Sequence, residues 1–217
     1  YPNVDWFEEL FNDYATNNRV NANITGGADV AQYYVSLGYY NETGQFKSED
    51  VESYNSKLKY NRFNFTSNLT VNISKNTKMD FGLNGYLSNE PARGKDYIFV
   101  LATQFSPHIT PVQYSNGLWP FVKGTTENPY KAMTQSGINN RYDNIIRSNL
   151  RLTQKLDFIT EGLSATGLYA FDVSLRNILT RQRNLPSYFA EGRDEDGNLI
   201  MTQTDTGSPD LSYGLVR

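Results

Sequence analysis

Phe63-Asn64-Phe65-Thr66-Ser67-Asn68-Leu69-Thr70-Val71-Asn72-Ile73 alternates without a break. Its odd positions are apolar apart from Ser67, and its even positions are all amide or hydroxyl. A side-chain period of two belongs to a β-strand, whose successive residues point to opposite faces. Lys75-Asn76-Thr77 interrupts the pattern as a tight turn does. It resumes with Met79, Phe81, Leu83, Gly85 and Leu87 on one face, against Asp80, Asn84, Tyr86 and Ser88 on the other. Two antiparallel strands are predicted, over 58–74 and 78–88.

Their length decides the class. Globular strands have roughly 5–6 residues, whereas a tilted strand of roughly 9–11 residues crosses a bilayer. An apolar face outward and a polar face inward is the signature of a transmembrane β-barrel. Phe63, Phe65, Leu69, Val71 and Ile73 are accordingly predicted to face lipid. Asn64, Thr66, Asn68, Thr70 and Asn72 are predicted to face the lumen.

The same alternation recurs along the chain. Val20, Ala22 and Ile24 oppose Asn21, Asn23 and Thr25, and Gly26-Gly27-Ala28-Asp29 turns into a partner with Tyr33, Val35, Leu37 and Tyr39 on one face. Further on, Ile146, Leu150 and Leu152 oppose Arg147, Asn149 and Arg151. A turn near 159–162 then leads into Tyr169, Phe171, Val173 and Leu175. Strands are thus expected at 18–26, 30–41, 58–74, 78–88, 144–158 and 163–176. Short connections (26–29, 75–77, 159–162) alternate with long ones (41–57, 89–143, 177 onward). Short periplasmic turns and long extracellular loops are the outer-membrane arrangement. Trp6, Phe7, Leu10, Phe11 and Tyr14 recur at helical spacing, with Asp5 and Glu8 placed as a capping box, so a short amphipathic helix opens the chain. A second short helix is expected at 96–105. The remainder of 89–143, with its five prolines, reads as loop. The fold class is all-β: about six strands of a larger antiparallel transmembrane barrel, since barrels need at least eight and open edges are not tolerated in lipid.

Composition agrees. Of 217 residues only 38% are hydrophobic, low for a large dry core but natural where half of each strand faces water. No run approaches the length of a transmembrane helix. There is no Cys and one His, which excludes a disulfide scaffold and a thiolate metal site. A net charge of −3 argues against a nucleic-acid partner. The chain does not begin with Met and shows no leader, so a removed leader or a longer parent is expected.

Several stretches resemble the SusC/RagA family of TonB-dependent outer-membrane transporters. Tyr1-Pro-Asn-Val-Asp-Trp-Phe-Glu-Glu-Leu-Phe is similar to the family's segment between plug and barrel, which makes 1–17 a connecting helix and 18–217 the N-terminal part of the barrel. Asn23-Ile-Thr-Gly-Gly, Tyr33-Tyr-Val-Ser-Leu-Gly-Tyr-Tyr-Asn and Gly44-Gln-Phe resemble its first barrel hairpin. Arg62-Phe-Asn-Phe-Thr-Ser-Asn-Leu, Asn128-Pro-Tyr and Gly192-Arg-Asp-Glu-Asp-Gly-Asn-Leu are similar to later stretches. The resemblance implies a barrel of about 22 strands in a bacterial outer membrane. It further implies a SusD-like surface lipoprotein as lid, and coupling to the TonB complex through a plug. The implied work is import of oligosaccharides or peptides, with no catalysis and no cofactor.

Other motifs have plainer explanations. Five Asn-X-Ser/Thr triplets match the glycosylation acceptor pattern, but three lie in one strand on its polar face. Asp194-Glu-Asp-Gly-Asn lacks the remaining ligands of a calcium loop and reads as a hairpin tip. His108 has no second His or Cys to work with. Arg147, Arg151 and Arg176 lie on the polar side, as ion pairs or as a field selecting anionic groups on a solute. Tyr114, Trp119, Phe121 and Tyr130 crowd the longest loop, where rings stack on sugars or on each other. Trp119, Tyr114, Arg147 and Arg151 are the candidate substrate contacts. A passive porin or adhesin barrel, and a soluble β-sandwich carbohydrate-binding module, are the alternative readings.

Overall fold

The computed structural model describes residues 2–51, 54–55, 57–122 and 127–216. The chain begins with helix α1 (Trp6–Leu10) and then forms β1 (Asn17–Gly27) and β2 (Ala31–Thr43). Two short strands, β3 (Asp50–Val51) and β4 (Tyr54–Asn55), lie in the first long connection. The hairpin β5 (Lys59–Asn72) and β6 (Thr77–Arg93) follows. Helices α2 (Ile98–Gln104) and α3 (Pro129–Gln135) occupy the second long connection, before β7 (Gly137–Lys155) and β8 (Ser164–Asn184). A small hairpin, β9 (Ser187–Arg193) with β10 (Leu199–Asp205), precedes β11 (Ser208–Val216).

Seven strands make one antiparallel sheet in the order β1-β2-β5-β6-β7-β8-β11. Its ladders run in unbroken register from β1 to β8. Val35, for instance, pairs with Ile24 and Ser67, and Ser67 pairs with Leu83. Directly paired residues share a face, so the alternation of each strand sums over the whole sheet. Val20, Leu37, Phe63, Leu87, Ile146, Leu150, Phe171 and Leu215 all fall on one side. That side is bare: Leu37 is 61% exposed and Phe171 56%.

The buried core lies elsewhere. Trp6 and Leu10 of α1 pack with Ile98, Leu101 and Ala102 of α2, Ala132 and Met133 of α3, Phe105 and Val122. This unit stands at the end of the sheet where the long connections are. Arg93, the last residue of β6, ties it to the strands by donating to Met133 O at 2.7 Å and Lys47 O at 3.0 Å.

Four sequence expectations need revising. The helix in 1–17 is only the short α1, Trp6–Leu10, and β1 already begins at Asn17. The helix ends at Leu10 because Phe11 pairs in extended form with Phe46, and Asn12 N–H donates to Gln45 O. The second long connection is shorter than 89–143, since β6 runs to Arg93 and β7 starts at Gly137. Pro91 does not break that strand. Gly94 N–H donates to Gly137 O, so even-numbered amides here point at β7. Position 91 therefore points to the other side, where β5 no longer pairs beyond Asn89. A missing donor there costs no ladder bond.

The third revision is a helix within the supposed loop. Asn128 caps α3 through its side chain and Pro129 starts it, a pairing of residue types that favours helix initiation. The last is the region after Arg176, which is largely strand and adds β11 as a seventh member of the sheet. Gly137, at the junction of α3 and β7, has φ +101°, and a Cβ there would meet Arg181 O at 1.9 Å. Only glycine fits such a turn. The loop expected at 41–57 and the long connection include positions outside the described residues (52–53, 56 and 123–126).

Candidate functional site

The polar face of the sheet is a wall mostly of amides, hydroxyls and charges, with Tyr40, Tyr86, Ile145 and Leu168 among them. Ladder pairing places Asn23, Ser36, Thr66, Asn84, Arg147 and Asp172 in one row. The next row toward the long connections reads Asn21, Gly38, Asn64, Tyr86, Ile145 and Ser174. Beyond it come Arg19, Tyr40, Arg62, Ser88, Asp143 and Arg176. Several charges are satisfied within the wall. Arg141 and Arg176 converge on the Asp143 carboxylate at 2.7 and 2.6 Å. Asp80 accepts from Thr70 Oγ1 at 2.7 Å and pairs with Lys78 at 3.1 Å. Arg176 is thus committed to an ion pair, whereas Arg147 is exposed and stands opposite Asn84 and Asp172. Arg151 stands opposite Asp80 and Leu168. The proposed lumen residues Asn64, Thr66, Asn68, Thr70 and Asn72 share this wall, and Phe63, Phe65, Leu69 and Val71 belong to the other set of alternate positions; Ile73, expected with them, lies past the end of β5 in the turn to β6, where no ladder fixes its face.

At the long-connection end the loops join into one body. Trp119 is 9% exposed and stacks on Tyr130 at 6.3 Å. The segment around Pro120 pairs with β9, Phe121 N–H donating to Tyr188 O and Tyr188 N–H to Trp119 O. Burial pushes the Tyr114 hydroxyl pKa up, opposed by its hydrogen bond to the Ala190 backbone. Trp119 is thus held by loop packing, the plainer of the two roles its sequence position allows. A flat indole is as useful under a loop as on a sugar, and burial alone tells the two apart.

One ionic cluster holds this body together. Glu127 lies between Lys95 and Lys131, bonded to the first and 3.8 Å from the second. The Lys131 side chain is only 3% exposed, and its ammonium donates to Ser187 Oγ at 2.7 Å, which fastens α3 to β9. Burial lowers the Lys131 pKa, with Glu127 pulling the other way. At Lys95 burial also works against the charge, but the bond to Glu127 prevails and the pKa rises. No spacing in the sequence marks this cluster.

His108 sits in the loop with Nδ1 2.9 Å from Pro2 O, a contact that holds the N-terminal segment. Asp194 forms the expected hairpin tip. Its carboxylate accepts from Asn198 N–H at 2.7 Å and from the Asn198 side chain at 3.2 Å, with Gly197 at φ +83°. Those bonds, the backbone amide of Asn198 first, hold the Asp194 pKa below its ordinary value. The tip is expected to be firm above about pH 4 and to loosen as pH falls through the lowered pKa. Amide exchange at Gly197 and Asn198 should report this, and Asp194→Ala should remove the pH dependence. Among the described residues no three His, Cys, Asp or Glu side chains are grouped as a metal site.

Phe7, Phe11, Phe46 and Phe99 gather at the surface beside these loops, with ring centroids 4.9–6.2 Å apart. Phe7, Phe11 and Phe46 border a cavity of about 1090 Å³ that also touches Glu8, Lys47 and Tyr130. The helical spacing in the first residues locates half of this cluster, and only the tertiary fold supplies Phe46 and Phe99.

No protein-family profile matches the chain. Over 84 residues it is 34% identical to TonB-dependent receptor P26 of Formosa agariphila, a stretch that is 39% of this chain and 8% of that protein. The fold superposes on the structure of the RagAB peptide transporter with a TM-score of 0.59 and 17% identity, covering 84% of this chain and 20% of that one. The RagAB peptide importer in its closed-closed state aligns with a TM-score of 0.45 at 15% identity. The chain spans under a tenth of the curated relative and about a fifth of the first structure.

Proposed function

We infer that this chain, a SusC/RagA-like segment similar to TonB-dependent transporters, is a stretch of barrel wall in a bacterial outer-membrane nutrient importer. The observation that carries this is the continuous division of the sheet into a bare apolar face and a charged polar one. A soluble carbohydrate-binding sandwich would cover the first of these; here Leu37, Phe63 and Phe171 stand open. In this reading the apolar face meets the acyl chains and the polar face lines the solute path. Residues 1–17 are the connection from a plug into the wall. The work is passage of an oligosaccharide or peptide, captured under a SusD-like lipoprotein and released inward when the TonB complex acts on the plug. The chain performs no chemistry on that solute.

Sidedness tests the reading. The long connections 44–58, 94–136 and 185–207 share one end of the sheet, and the short turns share the other. An epitope inserted beside Asn116, in an exposed turn closed by Gly117 at φ +81°, should be labelled on intact cells. The same epitope at Asn76, in the β5–β6 turn, should be silent until the membrane is opened. Labelling at Asn76 but not at Asn116 would overturn the topology.

A further inference from the structure

Two arginines on the polar face are treated differently from those that share Asp143. Arg19 and Arg62 flank Tyr40 in the ladder, one strand away on either side. At about 4.8 Å per strand their Cα atoms are about 10 Å apart, within reach of one small group for side chains of this length. Each guanidinium lies on a ring rather than on a carboxylate. Arg62 Cζ is 3.9 Å from the Tyr86 ring centre, and Arg19 Cζ is 5.4 Å from that of Tyr40. Stacking holds the planar cation but leaves its N–H edge free. Arg62 Nε donates to Asn64 Oδ1 at 2.8 Å, which fixes the plane further and leaves its terminal nitrogens. Neither arginine forms a salt bridge with an acid among the described residues. The nearest acid in the ladder, Glu42, is engaged by the Tyr40 hydroxyl at 2.6 Å.

These groups enclose space. Arg19, Asn21, Tyr40, Tyr60, Arg62 and Asn64 border a groove of about 450 Å³, within the usual range of small-ligand sites. Gly38 pairs in the ladder with Asn21 and Asn64, two of the residues that border it. A Cβ there would sit 2.7 Å from Asn21 Oδ1, so glycine is what lets the Asn21 amide lie across the strand. Tyr60 meets Tyr40 at 5.9 Å in a T-shaped contact and forms a side wall. The combination is two pre-oriented planar cations, two amides and an aromatic border, in a chain whose net charge is −3.

We propose that the groove between Arg19 and Arg62 is a subsite for a carboxylate on the transported solute. The chemistry is a carboxylate held by charge-assisted bonds from two guanidiniums whose faces are already occupied by Tyr40 and Tyr86. It would be carried either by the C-terminus of a peptide or by a uronic acid in an oligosaccharide. The proposal rests on the transport reading, because it needs the polar face to line the solute path. It differs from the field expected of Arg147, Arg151 and Arg176, since Arg176 is consumed by Asp143.

The test is equilibrium binding to the full-length protein in detergent, with four labelled probes. They are pentaalanine with a free C-terminus, its C-terminal amide, a galacturonate tetrasaccharide, and the methyl ester of that tetrasaccharide. One carboxylate probe should bind about 10- to 100-fold tighter than its neutral partner, and the pair that shows this identifies the source. Arg19→Gln and Arg62→Gln should each remove most of that preference while leaving the neutral probe unchanged. Arg62→Lys, which keeps charge but not the planar stack, should restore it only in part. Equal binding of carboxylate and neutral probes by the unaltered protein would overturn the subsite, as would no carboxylate binding at all. Equal weakening of both probes by the Gln variants would also overturn it, since that reports a structural role. The unaltered protein decides the matter if a variant does not fold. Surface labelling at Asn116 and Asn76 on intact cells that express the same protein separates the cases: correct sidedness without preference sinks the subsite alone, and reversed sidedness sinks the transport reading.

Discussion

Leu69→Arg should destabilise the folded protein in a bilayer by about 2–4 kcal/mol, the cost of an arginine on the lipid face near mid-membrane. Leu69 pairs with Tyr33 and Phe81 on the apolar face of adjacent strands, between Ser67 and Val71 on the same face of β5. If lipid surrounds that face, as the barrel reading requires, it has no hydrogen bonds to offer a guanidinium. Asn68→Arg, one residue away and on the opposite face, places the same charge beside Thr25-, Tyr34- and Gly82-bearing positions of the polar wall and should cost far less. Reversible folding into lipid vesicles, followed by denaturant titration, measures both. Equal penalties would mean that neither face meets lipid, and the barrel reading would fall.

Glu127→Ala should cost about 3–5 kcal/mol in the loop body, because it leaves a buried ammonium without its counter-ion. Lys131 would keep only the Ser187 hydroxyl as a close partner, and its side chain is 3% exposed. The damage should be local, since the seven-stranded sheet is held by its own ladders. Hydrogen exchange in β9 and α3 should accelerate while β5 and β6 stay protected. Adding Lys131→Met should recover much of the loss, for an apolar chain of similar length replaces the stranded charge. If Glu127→Ala alone leaves β9 protected, the cluster is not what docks the hairpin.

Sequence alone was sufficient where one residue in two faces the same environment along a whole strand. The faces of β5 and β6 and the alternation of short and long connections follow from Phe63–Ile73 and its repeats, because a period of two is a local property of the backbone; the turn, expected at 75–77, lies at 73–76. It failed where the surroundings change. Beyond Leu87 and Arg176 the strands leave the apolar band and carry Asn, Arg and Glu on both faces, so the pattern vanishes while the backbone ladder continues to Arg93 and Asn184. Ladder bonds are indifferent to side-chain polarity. Pro91 was misleading for a related reason: its cost depends on whether a neighbour strand needs its donor, which is a tertiary fact. The α3 start at Asn128-Pro129 was legible and is a matter of weighing capping against proline content.

The site divides in the same way. Which residues line the polar wall is set by parity and can be read from one strand at a time. Which arginines are spent and which remain available is set by register between strands: Arg176 meets Asp143, and Arg62 meets Tyr86. Trp119 and Lys131 were decided by burial, through partners about 10 to 70 positions away in sequence. The single-strand pattern determined that this protein has an apolar face and a polar one. The pairing of distant strands and loops, which brings Arg19 beside Tyr40 and Lys131 beside Ser187, decided what each face offers, because charges are matched by proximity in space and not by position in the chain.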